Sequence, residues 1–399
     1  MELIDRFKKY IAIDTISNEE SETIPSTSAQ IDFGKILVKD LHEIGVTNAY
    51  QDEYGYVYGY IDLGKDKTLG LISHMDTAPD FVGGCKNPKF VKDYSGEDIE
   101  LDSGDIVKVK DFPFMKELVG DDLLFTDGYH LLGGDDKAGI VIIFKFIEYL
   151  LKNKDKSSYN FSICFTVDEE IGRGPMKFSV DKMKADVAFT LDGESIYEAN
   201  FENFNAASAK VTFYGRSVHP GSAKNVMINS VLAAIAFNNY LPSEMIPSKT
   251  ENYEGFIHLD EFNGDVNKTV IKFILRDHDE LLLEKKKELL ESAKEKVLKD
   301  FDGLKVELEI KDDYKNMAPY FIKHPEILQM INKAYLMSNC KLKYTPIRGG
   351  TDGATITYMG LPCPNLGVGD FSPHGKFEFV SFTQMEKMVE ILKNLAKAL

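Results

Sequence analysis

A buried strand that ends in three carboxylates constrains this chain more than any other feature. Residues Phe161–Val167 are mostly β-branched or aromatic, which is typical of a strand buried on both faces inside a parallel sheet. Asp168, Glu169 and Glu170 follow directly. Carboxylates at the end of a buried strand repel one another and lose solvation, so they stay ionised only beside a cation or hydrogen-bond donors. A solvated loop is the alternative interpretation of such an acidic run.

Two further apolar strands end in residues that can bind metals. Leu69–Ser73 leads into His74 and Asp76, and Val187–Leu191 leads into Asp192. In an open α/β sheet, the carboxyl ends of the strands line one edge, and such folds hold their sites there. The three strands therefore predict an α/β fold with a site at that edge.

Size, charge and cysteine content limit the classes of function. A chain of 399 residues is long for one hydrophobic core, so two domains are expected. The net charge of −17 argues against nucleic-acid partners and anionic membranes. Without an apolar signal segment or a run near the ~18 apolar residues that span a bilayer, the chain is expected to be cytoplasmic. Four widely spaced cysteines argue against a disulfide framework or a thiolate zinc site.

The pattern of elements predicts a mixed, largely parallel sheet flanked by helices, with an inserted domain. Past Asp192, a β-α-β-β-α-β succession follows the ferredoxin-like α+β plan. The predicted organisation is a first catalytic part at 1–204, an inserted lid at 205–315 and a second catalytic part at 316–399. The first lid helix carries the apolar residues Val231, Ile235 and Phe237. They are expected to face either the lid's own sheet or a partner subunit in a homodimer.

Five residues form the candidate ligand set: His74, Asp135, Glu170, Asp192 and His374. Neutral imidazoles together with carboxylates suit zinc, cobalt or manganese in a catalytic site with an open position. Four of these residues also have a simpler interpretation. Asp135 precedes a predicted helix and can cap it, Asp192 can belong to a turn, and either histidine can lie at the surface or be satisfied in the core.

Two residues beside these ligands have predicted catalytic roles. Asp76, two residues after His74 on the same strand face, would accept the N–H of the imidazole nitrogen that binds no metal. Glu169 faces away from Glu170 if the strand continues, so it is placed to take a proton from water rather than to bind metal. Two metals that share one carboxylate would lower the pKa of a water molecule between them.

Six motifs follow one another along the chain. They are Ser73-His74-Met75-Asp76-Thr77, Gly133-Gly134-Asp135-Asp136-Lys137-Ala138-Gly139, Asp168-Glu169-Glu170-Ile171-Gly172, Leu191-Asp192-Gly193, Ser217-Val218-His219-Pro220-Gly221 and Pro373-His374-Gly375. In this order they resemble the dinuclear zinc peptidases of the aminoacylase, carboxypeptidase G and peptidase T group. The resemblance runs the whole length of the chain. It is greatest to the peptidase T branch, the tripeptide aminopeptidases, because of the long insert 78–128 and of Phe377–Val380 after the last motif.

The resemblance implies how the ligands are divided between two zinc ions. His74 and Asp192 would bind one ion, Glu170 and His374 the other, and Asp135 would bridge them. It also implies Glu169 as general base, Asp76 as the residue that orients His74, and a cis peptide bond between Asp135 and Asp136.

Residues of the inserted domain have implied roles in substrate binding. The resemblance makes His219 an oxyanion donor. It makes Arg348, and with it Arg276 and Asn229, candidates to hold the carboxylate of the peptide, which the fork of an arginine side chain matches. A structural ion pair is the alternative role of Arg276.

The implied activity is hydrolysis of the N-terminal peptide bond of short peptides, with tripeptides as substrates. Alternatives on the same scaffold are a dipeptidase, a carboxypeptidase or an N-acyl amino acid deacylase. A non-catalytic metal- or peptide-binding protein is the alternative from another class. The segment Asp370–Pro373 departs from the approach to the last ligand in peptidase T, which leaves the side-chain preference open.

Overall fold

Each of the three apolar segments that the sequence predicts as strands forms one. The structure is a computed structural model, and it describes residues 1–398. The α-helices are α1 (Leu3–Ile11), α2 (Ser28–Ile44), α3 (Gly134–Lys152), α4 (Val180–Met183), α5 (Ser230–Asn239), α6 (Glu280–Asp300), α7 (Ala318–Lys323), α8 (Pro325–Met337), α9 (Asp352–Tyr358) and α10 (Phe382–Leu395). The strands are β1 (Tyr50–Gln51), β2 (Val57–Ile61), β3 (Thr68–His74), β4 (Lys89–Val91), β5 (Ile99–Glu100), β6 (Ile106–Val107), β7 (Leu123–Phe125), β8 (Asn160–Thr166), β9 (Val187–Gly193), β10 (Glu198–Asn200), β11 (Asn205–Tyr214), β12 (Phe256–Gly264), β13 (Lys268–Asp277), β14 (Lys305–Tyr314), β15 (Lys343–Tyr344), β16 (Asn365–Gly367), β17 (Asp370–Phe371) and β18 (Phe379–Ser381).

Eight strands form the central sheet, in the order β1-β2-β8-β3-β9-β16-β10-β15. The central strands β8, β3, β9 and β16 are parallel to one another. Strands β1, β2 and β10 add antiparallel pairs. Both β3 and β8 are buried along their whole length, as expected of strands covered on both faces. The predicted mixed, largely parallel sheet is confirmed.

Helix α3 packs against β3 and β9, and α1 and α10 pack against it in turn. Residues 140–144 of α3 are at most 1% exposed, so this helix is buried on all sides there. This packing brings the N-terminus of α3, which carries Asp135, to the carboxyl end of β3, where His74 lies.

The long segment 78–128 has short strands of its own. Its strands β4 and β7 form a second sheet with the C-terminal strands, in the order β17-β18-β7-β4. A separate hydrophobic core lies between these parts and includes Leu118, Phe125, Phe371 and Phe379. The insert is therefore packed against β17 and β18, the two strands that flank His374.

The chain divides into two compact units. Of the described residues, one unit contains Met1–Phe201, Pro319–Thr345 and 351–398, and the other contains Glu202–Ala318 and Pro346–Gly350. These limits lie close to the boundaries expected at 204/205 and 315/316. No pattern in the sequence indicates that the short segment Pro346–Gly350, which carries Arg348, joins the smaller unit.

The smaller unit has the predicted succession β11-α5-β12-β13-α6-β14. Its sheet order is β12-β13-β11-β14, with antiparallel neighbours throughout, which is the ferredoxin-like arrangement. Phe237 is fully buried among the apolar residues of this unit, so the idea that it faces a partner subunit is wrong. Ile235 is 45% exposed on the same helix, and a homodimer stays a prediction.

Across residues 1–398, every helix is too short or too polar to cross a membrane. The four cysteines carry free thiols, three of them buried.

Candidate metal centre

The carboxyl ends of β3 and β9 bring three candidate ligands together. His74 is the last residue of β3, and Asp192 lies in the neighbouring parallel strand β9. Nε2 of His74 lies 2.8 Å from Oδ1 of Asp135 and 3.4 Å from Oδ1 of Asp192. Ligand atoms of the three residues lie within 4.8 Å of one another, a spacing at which one metal ion could contact all three.

A second group of three residues forms around His374. This histidine lies between β17 and β18 with a φ of 64°, in the left-handed region. Its Nε2 lies 2.9 Å from Oε2 of Glu170 and 3.3 Å from Oδ2 of Asp135. Ligand atoms of these residues also lie within 4.8 Å of one another. Asp135 thus offers one oxygen to each group, as a carboxylate that bridges two ions does.

Asp135 lies in a non-helical turn at the start of α3. Its φ and ψ are −78° and 105°, and its peptide bond to Asp136 is cis, as the resemblance implies. The capping role falls to Asp136, whose Oδ1 accepts the N–H of Gly139 at 3.1 Å and whose Oδ2 accepts the N–H of His74 at 3.2 Å. The carboxylate of Asp135 is therefore available to metal ions.

Asp76 lies on the other side of the His74 ring. Its Oδ1 is 3.4 Å from Nδ1 of His74, and its backbone oxygen is 3.1 Å from the same nitrogen. A proton on Nδ1 leaves the lone pair of Nε2 free for a metal. The carboxylate of Asp76 also accepts the N–H groups of Glu169 and Glu170, at 3.1 Å each, and the hydroxyl of Ser17.

The acidic segment does not continue the strand. Strand β8 ends at Thr166, Asp168 has a φ of 55°, and Glu169–Ile171 forms a 3₁₀ turn. The condition for the expected alternation of Glu169 and Glu170, a strand that continues through them, is therefore not met. The turn places Glu170 beside His374. The backbone N–H groups of Glu169 and Glu170 both donate to the carboxylate of Asp76.

Asp168 fixes this turn to the start of α2, a role that sequence reasoning missed. Its carboxylate accepts the backbone N–H of Ser26 at 2.7 Å, the Ser26 hydroxyl, and Nε2 of Gln30 at 2.7 Å. The N-cap residue of α2 is Thr27, which makes no cap bond with its side chain. Ser26 lies before the first residue of α2 and Asp168 is 142 positions away, so no local pattern in the sequence marks this contact.

The cluster contains more buried carboxylates than its two histidines offset. Burial, followed by the charge of Asp135, raises the pKa of Glu170 to about 8. Burial also raises the pKa of Asp192 to about 6. Oε1 of Glu170 is buried without a hydrogen-bond partner. A buried carboxylate oxygen in this situation costs free energy unless a cation binds it. The donor set therefore fits divalent metal ions.

His219 lies in the smaller unit, before the short turn Pro220–Ser222. Its Nδ1 accepts the N–H of Gly221 at 3.1 Å, so in the neutral ring the proton is on Nε2. The exposed edge of the ring is then a hydrogen-bond donor.

The guanidinium of Arg348 is held by backbone oxygens within the smaller unit. It donates to the carbonyl groups of Asn252 at 2.7 Å, Glu254 at 2.8 Å and Thr250 at 3.3 Å. It also lies over the ring of Phe204, with 5.1 Å between the guanidinium carbon and the ring centroid. These contacts give Arg348 a structural role.

Arg276 and Asn229 also have partners in the smaller unit. Arg276 donates to two backbone carbonyl groups of the sheet, at 2.9 and 3.3 Å, and lies 4.0 Å from the carboxylate of Asp313. Asn229 is the N-cap residue of α5, where its Oδ1 accepts the N–H groups of Val231 and Leu232. The structure therefore provides the ion-pair alternative for Arg276 and a capping role for Asn229.

Comparison with known proteins identifies the family. The model of "Peptidase family M20/M25/M40" matches residues 129–398. The chain belongs to this family. A relative named peptidase T from Caldanaerobacter subterraneus subsp. tengcongensis is 44% identical over 400 residues, which cover 99% of this chain and 98% of the relative. Another peptidase T, from Clostridium acetobutylicum, is 45% identical over 401 residues, with the same shares covered. The resemblance to the peptidase T branch is confirmed.

Solved structures show the M20 fold. Aminopeptidase PepT from Bacillus cereus superposes with a TM-score of 0.77 at 20% identity, covering 99% of this chain and 97% of that one. A dinuclear metal-binding peptidase of the M20 family from Bacillus subtilis superposes with a TM-score of 0.66 at 10% identity, covering 99% and 96%. M20 membership makes the chain a hydrolase of the peptidase class.

Proposed function

We propose that this M20 protein is an aminopeptidase that uses two zinc ions to remove the N-terminal residue from tripeptides. The observation that carries the proposal is the shared carboxylate of Asp135, which offers Oδ1 to His74 and Oδ2 to His374. Relatives named peptidase T, more than 40% identical over nearly the whole chain, support the substrate class.

The metal ligands divide into two sets with one member in common. His74 and Asp192 would hold one ion, Glu170 and His374 the other, and Asp135 both. Imidazole with carboxylate suits zinc, with cobalt and manganese as alternatives. Two such ions would supply Lewis acidity, which polarises the scissile carbonyl group and lowers the pKa of the attacking water.

Glu169 is the proposed general base. Its backbone N–H donates to Asp76 at 3.1 Å, which fixes the start of the side chain beside the ligands. Burial, followed by the charges of Asp192 and Asp352, raises its pKa well above the usual carboxyl range. A carboxylate in such surroundings accepts a proton more readily than one in water. Glu169 would take the proton of the attacking water and return it to the leaving amine.

Residues of the smaller unit are proposed to stabilise the oxyanion and to bind the peptide carboxylate. His219 would donate its Nε2–H to the oxyanion of the tetrahedral intermediate. Binding of the peptide carboxylate by Arg348, Arg276 and Asn229 stays a prediction, and the contacts of Arg348 and Asn229 favour structural roles for these two. A cytoplasmic location and a homodimer also stay predictions.

Substrate specificity tests the proposal. Metal-free protein would be restored with zinc and incubated with Ala-Ala-Ala, its N-acetyl form and the dipeptide Ala-Ala, and the released products would be identified. The proposal expects release of the N-terminal alanine from the free tripeptide and little turnover of the other two. Preferred cleavage of the N-acetyl form, of the dipeptide or at the C-terminal bond would contradict it and support a deacylase, a dipeptidase or a carboxypeptidase.

A further inference from the structure

Two backbone N–H groups in the turn at the start of α3 are bound by a side chain from far along the chain. Glu378 is fully buried, and its carboxylate accepts the N–H of Gly133 at 2.9 Å and the N–H of Asp135 at 3.2 Å. The N-terminal N–H groups of a helix lack partners within the helix, and an anion is favoured there. Glu378 therefore binds the non-helical turn that carries Asp135, just before the helical part of α3.

These two hydrogen bonds from Glu378 explain how Asp135 can serve as a ligand. An aspartate at a helix start ordinarily uses its carboxylate to accept backbone N–H groups of the first turn. Here Glu378 accepts the N–H of Asp135 itself, and Asp136 accepts the N–H of Gly139. Both oxygens of Asp135 remain directed at His74 and His374.

The backbone of Glu378 belongs to the loop that carries the other ligand. Its N–H donates to the carbonyl group of Gly375, the residue after His374, at 3.2 Å. Its own carbonyl group accepts the N–H of Thr126, from the long insert, at 3.2 Å. One residue thus joins the Asp135 turn to the His374 loop, through its side chain on one side and its backbone on the other.

We propose that Glu378 is a positioning residue for the metal centre, which sets the place of Asp135 relative to His374. The inference rests on the proposed two-ion function of the site. It predicts that Glu378 acts on metal affinity, and through it on kcat, without contacting a metal or the substrate. A residue that only filled the core would change stability and leave metal affinity unchanged.

The variant Glu378→Gln tests this inference with little change in volume. Glutamine keeps one acceptor oxygen but turns an amide NH₂ group toward the second backbone N–H, so one of the two bonds is lost. Zinc would be titrated calorimetrically into the metal-free full-length variant and the wild type. Loss of a residue that orients ligands lowers metal affinity by about 10–100-fold, and a loss of this size is expected at one or both sites.

Asp40→Asn is the matched control. Asp40 is a buried carboxylate that accepts hydrogen bonds from Tyr10 and Lys9, with no contact to the ligands. It should lose stability without losing zinc affinity. The absorption spectrum of the cobalt-loaded protein gives a second readout and should change in Glu378→Gln alone.

The outcomes separate the two proposals. Zinc affinities and a cobalt spectrum equal to those of the wild type in Glu378→Gln would overturn the role of Glu378 and leave the proposed function standing. Weaker zinc binding in the variant, with a wild type that binds two ions but cleaves no tripeptide, would support the role of Glu378 and overturn the substrate assignment. A wild type that binds no zinc would overturn both.

Discussion

Oδ1 of Asp76 lies 3.4 Å from Nδ1 of His74, on the side of the ring away from the other ligands. The same carboxylate accepts the backbone N–H groups of Glu169 and Glu170. Asp76 therefore fixes the ring of one proposed ligand and the backbone of the proposed base together. A single side chain links the end of β3 to the turn after β8.

Replacing Asp76 with asparagine should weaken the centre. In this variant an amide NH₂ group replaces one carboxylate oxygen, and it cannot accept the backbone N–H that the oxygen accepts. The side chain also loses the negative charge that favours a proton on Nδ1 of His74. Zinc affinity should fall by about 10–100-fold, measured by calorimetric titration. Ser17→Ala, which removes a single donor to Asp76, is the control and should have a smaller effect. Equal affinities in Asp76→Asn and the wild type would show that Asp76 does not orient the ligand.

Replacing Glu169 with glutamine or alanine should lower kcat strongly and leave zinc binding unchanged. Because Glu169 is proposed to move protons rather than to bind ions, both variants should retain two zinc ions per chain. Their kcat for a tripeptide should fall by about 10²–10⁴-fold. Metal content and steady-state kinetics would be measured on the same preparation, with the exposed Glu20→Gln as control. Full activity in Glu169→Ala with two zinc ions bound would refute the base assignment.

Replacing His219 should lower kcat without changing metal content. Loss of one oxyanion donor costs about 10²–10³-fold in kcat. His219→Ala is expected to show this loss, and His219→Gln, which keeps an N–H donor, to recover part of it. His258→Gln changes another histidine of the smaller unit, whose side chain is 45% exposed, and serves as control. A wild-type kcat in His219→Ala would exclude the proposed role.

Gly139 is a test of packing beneath the centre. A Cβ at this position would meet the carbonyl oxygen of Leu191, Oγ of Ser73 and Oδ1 of Asp136. Gly139→Ala should therefore lower the free energy of unfolding by about 1–3 kcal/mol, as overpacking does. Urea unfolding would measure the change, and Gly349→Ala, whose added methyl group would have its nearest neighbour at 3.9 Å, should be close to neutral. Unchanged stability in Gly139→Ala would show that α3 and β9 are less tightly packed than described.

The metal-free protein should lose stability as pH rises. The pKa of Asp192 is raised to about 6 and that of Glu170 to about 8, both by burial first, and hydrogen bonds to Asp135 and Glu170 raise that of His374 to about 11. Above pH ~4 the folded chain then binds more protons at these groups than the unfolded chain, so stability falls as pH increases.

Thermal unfolding with a chelator would check this dependence. The Tm of the metal-free protein should be lower at pH 8.5 than at pH 5.5, and saturating zinc should remove most of the difference, since the ions replace the lost protons. A Tm that rises over this range without metal would contradict the electrostatic account.

Much of the centre could be predicted because its ligands follow long apolar strands. The ends of β3, β8 and β9 are visible in the sequence, and parallel strands bring their carboxyl ends to one edge. The left-handed φ of Asp168 could not be predicted, since non-glycine residues seldom adopt it and here bonds to Ser26 and Gln30 hold it. That turn decides where Glu169 and Glu170 lie.

Contacts between residues far apart in the chain could not be predicted from the sequence. The bond from Gly133 to Glu378 joins residues 245 positions apart, and no local pattern marks it. The same holds for Arg348, whose partners lie more than 90 residues earlier. The resemblance to the family suggested that Arg348 binds the substrate, whereas in the folded chain its guanidinium donates to the backbone oxygens of Asn252 and Glu254.

The central claim is that five side chains hold two metal ions and share Asp135. Anomalous scattering from a crystal grown with zinc, measured on both sides of the zinc absorption edge, tests it most directly. The account predicts two peaks about 3.5–4 Å apart, one beside His74 and Asp192 and the other beside Glu170 and His374. A single peak, or no peak at these residues, would contradict it.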